Sequence, residues 1–101
     1  MAAKRKVVLT KTASLQVAEI YNYFLSEGEN AEAELFINDF LDVGFDEIPR
    51  FPQQFPLCET IKLGAGDYRE AIIAEEFVVI FQVFRDRVLI VLVLHEMDMP
   101  V

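Results

Sequence analysis

Residues 77–95 read FVVIFQVFRDRVLIVLVLH, two runs of β-branched and aromatic residues, 77–84 and 87–95, hinged at Asp86. Side chains of this kind favour extended strands, and so short a polar break suits a tight hairpin. A similar run at 68–74 precedes them across Glu75-Glu76, and the three predict an antiparallel meander. When one face of such a sheet packs on a core, alternation leaves the other polar. Here it does not. Phe77, Val79, Phe81 and Val83 point one way, Val78, Ile80 and Phe84 the other, with Gln82 the only polar interruption. In the last strand Val88, Ile90, Leu92 and Leu94 are expected to oppose Leu89, Val91 and Val93. An apolar face of that size exceeds what a monomer usually leaves open. Its cover is expected from the neighbourhood of the first strand, a C-terminal tail, a second copy or a partner. Phe81, Val83, Ile90 and Leu92 are the partner-binding candidates on it.

Upstream the period changes from two to 3.6. Val17, Ile20, Tyr21, Phe24 and Leu25 recur three and four residues apart after Thr12 or Ser14, either of which can N-cap, and the stripe stops at Ser26-Glu27-Gly28. Past Glu29-Asn30, with Asn30 as a cap, Ala33, Phe36, Ile37, Phe40, Leu41, Gly44, Phe45 and Ile48 form a second stripe. A connection this short makes the pair an antiparallel helical hairpin. Residues 4–10, centred on Val7-Val8-Leu9, read as a first strand. Pro49, Pro52 and Pro56 break the helix into a loop anchored by Phe51 and Phe55, and Gly64-Ala65-Gly66 marks another turn. The expectation is one α+β domain over residues 1–101, ordered β-α-α-β-β-β, with the helical hairpin packed on an antiparallel sheet.

Composition narrows the function. A hydrophobic share of 53% against 26% charged residues describes a folding chain rather than a disordered one. The longest apolar run, 88–94, is too short to span a bilayer, and the basic N-terminus lacks the apolar core of a signal peptide. A lone Cys58 and a lone His95 offer neither a disulfide nor a metal cluster. A cytoplasmic protein without metal or cofactor is expected. The net charge of −8 opposes docking on duplex DNA, where affinity rests on neutralising phosphates. The charge is also uneven. Residues 1–11 hold Lys4, Arg5, Lys6 and Lys11 with no acid, whereas 12–48 hold nine acids and no Lys or Arg. That acidic block is either a solvated helix face or a docking surface for a basic partner.

The order strand, helix, helix, loop, meander resembles the RelE/ParE superfamily of small toxins from bacterial toxin–antitoxin and plasmid-stabilisation systems. The resemblance is carried by Ala18-Glu19-Ile20-Tyr21-Asn22-Tyr23-Phe24, by Ala33 with Phe36-Ile37 and Phe40, and by Ile48-Pro49-Arg50-Phe51-Pro52. Tyr68-Arg69 opening the meander and Val93-Leu94-His95 closing it complete the match. The long helical hairpin places the chain nearer the ParE-like branch than the compact ribonuclease branch. Membership implies a growth inhibitor that poisons DNA gyrase or cuts messenger RNA in the ribosome, silenced by a cognate antitoxin that wraps an arm over it. For a ribonuclease, the resemblance makes Arg69 the phosphate ligand and His95 the proton-transferring group. The residues themselves read otherwise: Arg69 as a strand-edge cation paired with Glu70 or Glu59, His95 as a satisfied structural histidine. Where many relatives carry arginine before the histidine and basic residues after it, this chain has Leu92 and Glu96-Met97-Asp98. The reading is therefore a ParE-like toxin acting by protein–protein binding on a gyrase-type target, without catalytic chemistry of its own. Its alternatives are a ribosome-dependent endoribonuclease and a non-toxic homodimeric interaction module.

Overall fold

The computed structural model describes residues 4–61, 64 and 66–100; Ala65, at the centre of the expected 64–66 turn, lies outside them. The chain runs β1 (Lys6–Leu9), α1 (Lys11–Ser26), α2 (Asn30–Asp42), a π-helical turn (Val43–Glu47) and α3 (Ile48–Arg50), then β2 (Tyr68–Ile73), β3 (Phe77–Val83) and β4 (Arg87–His95). The sheet order is β1-β4-β3-β2. Strands β2, β3 and β4 form the antiparallel meander, while β1 lies parallel to β4 with Lys6 opposite Arg87 and Leu9 opposite Ile90. The sheet is thus mixed rather than purely antiparallel: the helices, the proline loop, β2 and β3 all lie between β1 and β4, a connection long enough to bring the two together in parallel.

The helix ends follow local chemistry. Thr10, not Thr12 or Ser14, caps α1: its Oγ1 accepts the Ala13 N–H at 3.1 Å and donates to the Val91 carbonyl at 3.1 Å. One hydroxyl so closes a helix start and ties it to β4. At the other end Gly28 sits at φ 74°, where the Glu29 N–H reaches the Phe24 carbonyl and the Gly28 N–H that of Leu25. This is a Schellman closure, and it turns the chain straight into α2. Asn30 is the first helical residue, with Glu29 before it giving no side-chain cap.

Both helices press on one sheet face. Phe24, Ala33, Phe36, Phe40 and Ile48 interleave there with Ala71, Ile73, Phe77, Val79, Phe81, Val88, Ile90 and Val93. Phe77 is the centre of an aromatic cluster, 4.9 Å from Phe36 and 5.9 Å from Phe24 between ring centroids, both edge-on. Gly44 faces the sheet from the π turn, where a Cβ would stand in ordinary contact with Ile90 and Phe40 at 3.5 Å.

The second face is covered from within. Val78, Ile80 and Val91 cluster with Cys58, Ile61 and Tyr68, with Leu89, Leu92 and Met99 packed alongside. The C-terminal tail thus supplies one of the expected covers through Met99. The loop at 58–61 supplies another that the strand pattern does not foretell. The same loop pairs with the outer edge of β2, the Cys58 N–H reaching the Tyr68 carbonyl at 2.7 Å and the Glu70 N–H that of Pro56 at 3.0 Å. Among the described residues no helix is long and apolar enough to cross a membrane.

Candidate functional site

Strand β4 holds the feature that decides which residues face outward. Ile80 pairs with Leu92 but Phe81 pairs with Ile90, so Val91 is an extra residue and the alternation slips by one. Before the bulge Val88 and Ile90 face the helices; after it Val93 does, and Leu92 turns to the second face. The expected partner-binding set is therefore corrected in its placement. Phe81 and Ile90 are fully buried under the helical hairpin and Val83 packs on the same cluster; Leu92 alone lies on the second face. Alternation holds in β3, where Phe81 and Val83 follow Phe77 and Val79 under the helices; it fails in β4, because a bulge leaves no polar signal in a run that is apolar throughout.

Among the described residues part of the β4 edge also has no strand beside it, because the chain leaves β1 for α1 at Thr10. Strand β1 pairs with β4 only as far as Ile90. Beyond it the Thr10 hydroxyl meets the Val91 carbonyl, and Gln16 Oε1 accepts the Val93 N–H at 2.8 Å. Two polar side chains from the start of α1 thus stand in for the missing strand.

Beside them a groove of about 480 Å³ opens where α1, the Gly28 turn and the β2–β3 hairpin meet. Ile20, Tyr23, Phe24 and Phe77 make its floor and wall, while Glu19, Glu29, Glu76 and His95 stand around it. A further 200 Å³ runs on along α1 past Gln16 and Val93 to Asp98, sharing Glu19, Ile20, Phe77 and His95. The signal for it in the sequence was the acidic block at 12–48 lying against the aromatic stripe of α1.

Arg69 and His95 do not come together. In the register Arg69 stands opposite Phe81 and His95 opposite Phe77. That is about 13 Å along the sheet and about 10 Å across it. Arg69 donates to the Phe55 carbonyl at 2.6 Å, and Phe55 packs edge-on to Phe81. Its role here is to pin the proline loop, and the expected partners Glu70 and Glu59 are not what it meets. His95 accepts the Met97 N–H on Nδ1 at 3.1 Å, closing the turn Glu96–Asp98. That bond leaves the ring proton on Nε2, which lies 3.7 Å from Glu76. The ring also packs edge-on to Phe77 at 5.3 Å. The structural reading of this histidine accounts for every contact. Among the described residues no group of three or more His, Cys, Asp or Glu is placed to hold a metal ion.

A helical hairpin laid on a mixed β1-β4-β3-β2 sheet is the fold of the RelE/ParE superfamily. The family described as the ParE toxin of the type II toxin–antitoxin system parDE matches residues 7–100, and the chain belongs to it. Two solved structures share the fold. A chain of the chromosomal ParDE system of P. aeruginosa superposes with a TM-score of 0.69 at 14% identity, covering 91% of this chain and 96% of that one. A chain of the RelBE2 toxin–antitoxin complex of Mycobacterium tuberculosis gives 0.60 at 16% identity, covering 92% and 99%. No curated protein sequence matches the chain.

Proposed function

We propose that this ParE-type toxin arrests growth in the cytoplasm by binding a protein target of the gyrase type, and that a cognate antitoxin silences it by seating an arm on its surface. The separation of Arg69 from His95 carries the choice of binding over cleavage. Activating a ribose hydroxyl while holding the scissile phosphate requires both groups within hydrogen-bond reach of one nucleotide, and here each is engaged in a contact of its own. The groove beside α1 supports the antitoxin, since apolar grooves of this kind receive amphipathic arms.

Induced expression of the chain alone is expected to stop growth and alter plasmid supercoiling, with co-expression of the neighbouring reading frame restoring both. Unaffected growth in cells that accumulate soluble, folded protein would overturn the reading. Ribosome-dependent cleavage of messenger RNA, lost in Arg69→Ala and His95→Gln variants, would move the protein to the ribonuclease class instead.

A further inference from the structure

The groove beside α1 is apolar in its floor and negative at its rim, and among the described residues no Lys or Arg pairs with its carboxylates. Among the described residues the Glu19 and Glu29 carboxylates have no hydrogen-bond or ion-pair partner, and the Glu76 carboxylate meets only His95 at 3.7 Å. Asp98 extends the same sign along the groove. No Lys or Arg occurs anywhere in residues 12–48. The described cations that make ion pairs, Lys4, Arg50 and Arg87, bond to Asp46 and Asp86, neither of which lines the groove. On the groove Tyr23 is 60% exposed and lies edge-on to Phe24 at 5.9 Å between ring centroids.

We propose that this groove receives an arginine side chain from the arm of the neutralising partner. The assignment rests on the reading of the chain as the toxin of a pair and adds the chemistry by which one partner is chosen. Arginine fits better than lysine because a planar guanidinium stacks on aromatic rings and presents paired N–H groups to carboxylates at its edge. Here Tyr23 offers the exposed ring, while Glu19, Glu29 and Glu76 offer the carboxylates. A groove of 480 Å³ with its 200 Å³ extension holds more than one side chain. Apolar residues flanking the arginine therefore lie along Ile20 and Phe24. The acidic rim selects against a nucleic acid strand in the same place, whose phosphates it repels.

The probe is N-acetyl-arginine amide, titrated into the ¹⁵N-labelled full chain beside the isosteric but neutral N-acetyl-citrulline amide. Saturable shifts at Tyr23, Phe24, Phe77 and His95 are expected with arginine only. They should vanish in the E19Q/E29Q/E76Q variant, whose thermal melting and circular dichroism serve as the check on folding. The same variant is expected to bind the antitoxin encoded beside it at least tenfold more weakly. Equal shifts with citrulline, or none with either probe, would overturn the groove as a cation site. Antitoxin affinity within twofold of the parent would overturn its assignment to that partner. Growth arrest by the unaltered chain is read separately, so a failure of the toxin reading shows there and a failure of the groove shows in the titration.

Discussion

Asp39 joins α2 to the β2–β3 hairpin with a single carboxylate. Its Oδ2 accepts the Ala74 N–H at 2.5 Å, and Ala74 and Glu75 both hold positive φ, 47° and 66°, without being glycine. A left-handed backbone is costly for residues with a Cβ, and the bond from Asp39 offsets part of that cost. Asp39→Ala is expected to lower stability by about 1–2 kcal/mol in urea unfolding, with Ala74→Gly recovering some of it; a neutral effect would show that the turn holds itself. Asp46 is a second residue with a measurable signature. The hydrogen bond from Arg50 at 2.7 Å, helped by the positive charges of Arg50 and Lys4, holds its carboxyl below the ordinary value. A depressed carboxylate stabilises the fold fully above its unfolded pKa and loses that contribution as pH falls through the lower, folded one. Arg50→Ala should therefore lower the melting temperature slightly at neutral pH and not at all in strongly acid buffer. A difference that persists in acid would mean that Arg50 acts through packing.

At the scale of elements, β4 carries two meanings in one run of apolar residues. Ile90 lies fully buried under the helices, whereas Leu92, past the bulge at Val91, is only half-buried beside Met99. Ile90→Ala is expected to cost about 2–5 kcal/mol and Leu92→Ala clearly less, as denaturant midpoints would report. Equal costs would place the two on one face and remove the bulge. The free edge beyond Ile90 makes a companion prediction. Gln16→Leu keeps the bulk of the side chain but orphans the Val93 N–H, a loss of about 1–3 kcal/mol that hydrogen exchange at Val93 should register as weakened protection.

Across the whole molecule the charges separate by end. Arg5 bonds the Phe84 carbonyl through Nε, Lys6 stands opposite Arg87, and Lys4 and Arg50 share Asp46, so cations gather where β1 begins and the β3–β4 turn lies. The opposite end joins the α1–α2 connection to the β2–β3 hairpin and carries the carboxylates of the groove. A dipolar arrangement of this kind orients a charged partner before contact, and salt weakens it. Association with a basic antitoxin arm is accordingly expected to slow at least severalfold between low and physiological salt, with dissociation nearly unchanged. Stopped-flow rates independent of salt would leave the acidic end a solvated surface only.

The strands, the two helices and their order follow from local pattern, because side-chain period and turn residues act over a few neighbours; the meander is observed at 68–73, 77–83 and 87–95. Membership of the toxin family was legible for the same reason, in short motifs kept in order along the chain. Tertiary structure alone decided three things: the parallel place of β1, the sheet face that the helices cover, which with the β4 bulge put Phe81, Val83 and Ile90 inside and Leu92 on the other face, and the distance between Arg69 and His95. Each depends on which groups find partners far along the chain. A run apolar on every position, like 88–94, looks the same on either face and in either register.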